Sequence, residues 1–199
     1  MTDSTKLHLG TSLAKSVTLL FKNLESRLNL TEPVDALIAG SIAMHFYSGT
    51  RVSHDVDVEF SSHILIPQNM AVDVALDDGS LWPLYFDVGH NQNFSLMHQD
   101  YLRDSIPLNL GLEFIRPHLL SPIDLVVSKI GRLSDVDILD VVELARLGLV
   151  ASNAIKRRAN EAIEVCVCNK SAINKQLQTV LGLVESVKNS NAQNIKFAP

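Results

Sequence analysis

Asp55 and Asp57 stand one residue apart in the run Ser53-His54-Asp55-Val56-Asp57-Val58. In an extended segment such alternation sends both carboxylates to one face and the valines to the other. Two like charges held side by side repel, and a divalent cation between them removes the penalty. Hard oxygen donors of this kind suit magnesium or manganese. Thirteen residues separate Gly40-Ser41 from Asp55, and the pair follows an apolar run from Val34 to Ala39 and precedes a short helical stretch from Ile42 to Tyr47. A glycine turn that opens a helix offers backbone N–H groups and a hydroxyl to an anion, which suits a nucleotide phosphate. Taken alone, Gly40 reads as an ordinary turn. Its company with the aspartates is what suggests a phosphate cradle beside a metal site.

A two-metal centre needs a third acid. Asp87, in Leu84-Tyr85-Phe86-Asp87, is the first choice because alternation sets it opposite Phe86, and Glu113 in Leu112-Glu113-Phe114 is the competitor. Arg51 and Ser53 flank the aspartates and are candidates to orient phosphate, although Ser53 also suits a turn. Lys129 falls within an apolar helical run, where it either snorkels at the helix edge or supplies positive charge to a triphosphate. Asp137 and Asp140 share one helical face three residues apart, a pattern that helix-dipole matching also produces.

The elements that must position these groups follow from periodicity. Leu13, Val17, Leu20, Leu24 and Leu28 predict an amphipathic helix from Thr11 to Leu30. Strands are expected at Val34–Ala39, at the Asp55 segment, around His63–Ile66, at Ala71–Leu76, Leu84–Val88 and Leu108–Ile115. A turn is expected at Asp77-Asp78-Gly79-Ser80 and a polar loop over Gly89–Ser105. From Ser121 the period becomes helical: Ser121 caps, Pro122 takes the first position and Asp124 the first turn. Further helices are expected at Asp135–Leu147, ended by Gly148, at Ser152–Val167, capped by Ser152, and at Ser171–Lys188, with a frayed tail after Asn189. Strands first and helices after give an α+β core over 1–150 and a helical extension over 151–199.

At 199 residues, 46% hydrophobic and 20% charged, the chain has enough apolar material for a packed core. A net charge of −5 argues against broad basic binding to nucleic acid, while Lys156-Arg157-Arg158 leaves room for a local phosphate contact. Cys166 and Cys168 are the only cysteines. Their spacing, in what reads as an apolar helical run, predicts two reduced thiols. With no signal-like start and no apolar run long enough for a span, the expectation is a cytoplasmic protein without membrane partners. The seven histidines do not build a competing site. His54-Asp55 lies in strand-like alternation rather than in the helix a His-Asp phosphohydrolase needs, and no histidine pair has zinc-protease spacing.

The order of strand, Gly-Ser, short helix and Asp-x-Asp strand resembles the nucleotidyltransferase superfamily of the polymerase-beta type. GSIAMHFYSGTRVSHDVDV is similar to AbiEii-type and related bacterial nucleotidyltransferases of toxin–antitoxin systems. SPIDLVVSKIGRLSDVDILDVVELARLGL is similar to their lysine-bearing helix and acidic motif, with Lys129, Asp137 and Asp140 at the matching positions. The resemblance covers roughly Val34 to Val150. It implies a mixed sheet with packed helices and a nucleoside triphosphate substrate with Mg²⁺ or Mn²⁺ at Asp55, Asp57 and Asp87. It also implies phosphate binding at Gly40, Ser41, Arg51 and Ser53, and an RNA or protein hydroxyl as acceptor. One departure stands out: the family pattern has Arg-Asp in the acidic motif where this chain has Val136-Asp137. The arginine's contact is therefore absent or passes to Arg132, and a non-catalytic, antitoxin-like binding module is the alternative.

Overall fold

The computed structural model describes residues 6–67, 69–75, 79–87 and 95–196. Thr11 starts helix α1 (Ser12–Arg27) by accepting the amide of Ala14 at 3.2 Å, supplying a partner that the first helical turn lacks. Leu13, Val17, Leu20, Phe21 and Leu24 form its buried stripe. Strand β1 (Val34–Ile38) leads directly into α2 (Gly40–Ser48), and Gly49 closes that helix in the left-handed region at φ 74°. Then come β2 (Asp55–Phe60), β3 (Ala71–Ala75), β4 (Leu81–Asp87), β5 (Ile106–Pro107) and β6 (Ile115–Leu119). Four helices follow: α3 (Pro122–Ile130), α4 (Asp135–Arg146), α5 (Ser152–Val165) and α6 (Lys170–Lys196). None of the described helices is long and apolar enough to cross a membrane.

The chain divides into two compact units, residues 1–90 with 104–120 and residues 91–103 with 121–199. The expected division at 150 falls between α4 and α5, within the second unit. The first unit carries a six-stranded mixed sheet in the order β3-β4-β2-β1-β6-β5. β1 is antiparallel to β2 and parallel to β6, β2 is parallel to β4, and β3 and β5 pair antiparallel at the edges. α1 packs on β3 and β4, and α2 on β2. Phe21 meets Phe86 edge to face at 5.1 Å, so apolar residues of one sheet face join those of the helix. In the second unit α3, α4 and α5 each pack against α6 or one another. The α+β class with a C-terminal helical region expected from the sequence is present.

Several boundaries differ from expectation. His63–Ile66 is not a strand, and Leu65 there is 77% exposed, so the apolar run has no core to cover it. Leu108–Ile115 is not a strand either. Gly111, at φ 68°, donates to the Asn109 side chain, and the amides of Glu113, Phe114 and Ile115 all go to the Glu25 carboxylate. Those donors are therefore not available to a ladder, and pairing begins only at Ile115. β4 starts three residues before the expected Leu84. α5 is preceded by Ala151 rather than capped by Ser152, whose hydroxyl reaches Glu185 at 3.2 Å. α6 runs on to Lys196 in place of a frayed tail from Asn189. Asp77 and Asp78 of the expected turn, and residues 89–94 of the expected loop, lie outside the described residues. Cys166 caps the end of α5 and Cys168 follows it, their Cα atoms 5.4 Å apart, so the two cysteines lie just past the helix expected to run to Val167.

Candidate metal and phosphate site

The acid pair takes its position from β2. Val56 and Val58 are buried, and Asp55 and Asp57 project from the opposite face at intermediate exposure. β4 lies parallel beside it in a register that pairs Asp55 with Tyr85 and Asp57 with Asp87. One carboxylate oxygen from each of Asp55, Asp57 and Asp87 lies within 4.8 Å of the other two. At that separation two unit charges repel by roughly 1–3 kcal/mol, for effective dielectrics between that of water and about 20. The arrangement is one that a hard cation relieves, and three oxygen donors from two rigid strands match what magnesium or manganese accepts.

Gly40 sits hard against this cluster. A Cβ there would fall 1.7 Å from Asp57 Oδ2, and its φ of 58° is left-handed, so both space and backbone call for glycine. The Ala39 amide donates to the Asp57 carbonyl at 3.0 Å, which fixes the start of α2 beside the strand. α2 has no side-chain cap and no acid in its first turn, and the positive end of such a helix favours an anion. Arg51 Nη2 donates to Ser41 Oγ at 3.3 Å, and Ser53 Oγ donates to Asp55 Oδ1 at 2.6 Å. Gly40, Ser41, Arg51, Ser53 and the three aspartates thus come together within the first unit.

The sequence offers His45 only as a partner of His54-Asp55 in a histidine metal site, not as a residue of the phosphate site, yet it holds the Arg51 segment. Its Nδ1 pairs with the Arg51 carbonyl at 2.5 Å and its Nε2 with Thr11 Oγ1 at 2.7 Å. This assigns the proton to Nδ1, with Thr11 donating to Nε2. Burial holds the His45 pKa below its ordinary value, helped by the charge of His8 and opposed by the bond to Arg51. A histidine inside an otherwise apolar helical stretch is its one sequence signal, and that signal does not separate it from a core histidine.

Glu113 is exposed in the loop before β6 and is not in the cluster. Lys129, Asp137 and Asp140 come together in the second unit. Lys129 is 5% exposed, with its ammonium 3.2 Å from Asp137 and 2.8 Å from Asp140. Arg132 clasps Asp137 with two bonds of 2.8 Å, a bidentate pair that neutralises this buried carboxylate from the turn before α4. Burial would raise the Asp137 pKa, but Arg132, the Ser134 hydroxyl and amide, and Lys129 outweigh it and hold the carboxyl well below the usual range. Arg158 is similarly committed to Asp124 by bonds of 2.7 and 2.8 Å, so of the three basic residues at 156–158 it already neutralises a buried carboxylate.

No curated protein and no solved structure gives a significant match to the chain. A family model described as "Nucleotidyltransferase of unknown function (DUF6036)" matches residues 15–188, a span that takes in the glycine turn, the three aspartates and the Lys129–Asp140 cluster. With that match over most of its length, the chain belongs to this nucleotidyltransferase family.

Proposed function

We propose that the protein transfers a nucleotidyl group from a nucleoside triphosphate to an acceptor hydroxyl on RNA or protein, with Mg²⁺ or Mn²⁺ held by Asp55, Asp57 and Asp87. The observation that carries this reading is the convergence of those carboxylates beside a glycine-opened helix. When bound, a divalent ion there supplies charge neutralisation and Lewis-acid polarisation at the reacting phosphate. The protein's own groups do the rest. Gly40 and Ser41 at the start of α2 receive the β- and γ-phosphates, Arg51 adds a cation beside Ser41, and Ser53 orients the Asp55 carboxylate.

The sequence-based role for Lys129 is charge stabilisation. Its two buried carboxylate partners support a second role, anchoring α3 to α4. The AbiEii-like setting, a toxin–antitoxin or phage-defence pair in the cytoplasm, is part of the proposal and rests on the resemblance of the two motifs. The alternative of a non-catalytic module rests on the valine at 136 and on the choice of third acid; the Arg132 clasp on Asp137 and the nearness of Asp87 to Asp55 and Asp57 weigh against it.

The test is transfer itself. Purified protein with Mg²⁺ and α-labelled triphosphates should label RNA or protein from a cell extract, and Asp55→Asn with Asp57→Asn should abolish the label. Release of pyrophosphate with no labelled product would replace transfer with plain hydrolysis.

A further inference from the structure

Tyr85 shares the acid face. It pairs with Asp55 in the parallel register of β2 and β4 and stands two residues before Asp87 on the same side of its strand. Its neighbours in sequence, Leu84 and Phe86, are buried on the opposite face, whereas Tyr85 is 44% exposed. On its other flank the paired residue is Ala71, which is exposed and too small to cover a ring. The core on the opposite face does not use this ring, and the strand lattice sets it beside the three carboxylates.

The position has a direction. In the sheet, β2 lies between β1 and β4. Gly40, at the end of β1, abuts Asp57 from one side, while Asp87 and Tyr85 lie on the other. In nucleotidyl transfer the acceptor oxygen bonds to the α-phosphorus as the bond to the β-phosphate oxygen breaks, pyrophosphate leaves, and the hydroxyl proton passes to water. Attacking and leaving oxygens lie roughly in line on opposite sides of that phosphorus. If pyrophosphate leaves on the Gly40 side, the acceptor enters from the β4 side, across Tyr85.

We propose that Tyr85 is a stacking platform for the nucleobase of the acceptor, the terminal nucleotide of a single-stranded RNA. This deepens the transfer reading above and rests on it. An aromatic face accepts any base, contributes without hydrogen-bond readout, and gives an acidic protein a foothold on RNA that does not depend on a basic surface.

The test uses a five-nucleotide single-stranded RNA ending in a fluorescent 2-aminopurine nucleotide, titrated into wild type, Tyr85→Phe and Tyr85→Ala, with thermal melts to confirm folding. In parallel, each protein is titrated with Mg²⁺ and the four triphosphates. Stacking predicts fluorescence quenching in wild type and Tyr85→Phe. In Tyr85→Ala it predicts quenching lost, RNA affinity about tenfold weaker and triphosphate affinity unchanged. Equal quenching in Tyr85→Ala overturns the proposal. Weakened triphosphate binding with RNA binding intact also overturns it, by assigning the ring to the base of the triphosphate, and a protein acceptor would show as no RNA binding to any form while triphosphate still binds. Absence of magnesium-dependent triphosphate binding in wild type would sink the transfer reading itself, and this inference with it.

Discussion

Asp57 and Asp87 are in-register partners on adjacent parallel strands, so their carboxylates are brought together by the ladder that pairs β2 with β4. Asp55 joins them by alternation along β2. Strand pairing, rather than a flexible loop, thus sets the spacing of the candidate metal ligands, and the parts that touch them become sensitive to small changes.

Gly40→Ala is expected to damage the site and the fold together. The added methyl overlaps Asp57 Oδ2, and the left-handed backbone alone costs about 1–2 kcal/mol for a residue with a Cβ. Thermal unfolding should show a melting temperature several degrees lower, and magnesium-dependent triphosphate binding should be lost. Wild-type affinity in this variant would show that the close approach is not required.

Ser53→Ala removes the 2.6 Å bond that orients Asp55 and leaves the carboxylate in place. Partners behind a metal ligand typically change affinity by about 10- to 100-fold. A Mn²⁺ titration followed by electron paramagnetic resonance should therefore show at least tenfold weaker binding, with stability nearly unchanged.

Lys129→Met should destabilise strongly, by about 3–5 kcal/mol, because Asp137 and Asp140 are buried and lose a shared cation. Arg132→Ala should cost less, about 1 kcal/mol, since that guanidinium is largely exposed and Asp137 keeps Lys129 and Ser134. Urea unfolding of the two variants distinguishes them. A stable Lys129→Met protein that has lost activity would favour the charge-stabilising role over the anchoring one.

Acid should weaken the protein in two windows. His45 has a folded pKa below its ordinary 6.5, so the unfolded chain binds the extra proton first; its contribution is complete above that value and is lost as pH falls through the folded pKa. Asp137 behaves likewise from 3.8 downward, its folded pKa being depressed. Unfolding free energies measured from pH 8 to pH 2 should fall in both ranges. In a His45→Gln variant the slope below 6.5 should flatten while the slope below 3.8 remains.

The glycine turn, the acid strand and the capped helix at Ser121 were legible because each is a local pattern: alternation, a small residue at a tight turn, a serine followed by proline. Asp87 was legible by the same alternation, and Tyr85 obeys it too, but an exposed aromatic gives no sign in sequence of which strand will lie beside it. Glu113 was misplaced because Leu108–Ile115 is apolar enough to read as a strand, and only the folded chain shows Glu25, 88 residues away, taking up its amides. The length of α6 was hidden by Asn and Ser, which favour helix ends when judged alone. Arg132 could be named as a substitute for the missing arginine, but its clasp on Asp137 depends on a turn geometry that spacing does not give.

The central claim is that Asp55, Asp57 and Asp87 hold a divalent ion that binds a nucleoside triphosphate. The most direct measurement is isothermal titration of the four triphosphates, with and without Mg²⁺, into wild type and the Asp55→Ala, Asp57→Ala double variant. The account predicts magnesium-dependent binding in wild type that disappears in the variant. Absence of binding to either protein, or equal binding to both, would contradict it.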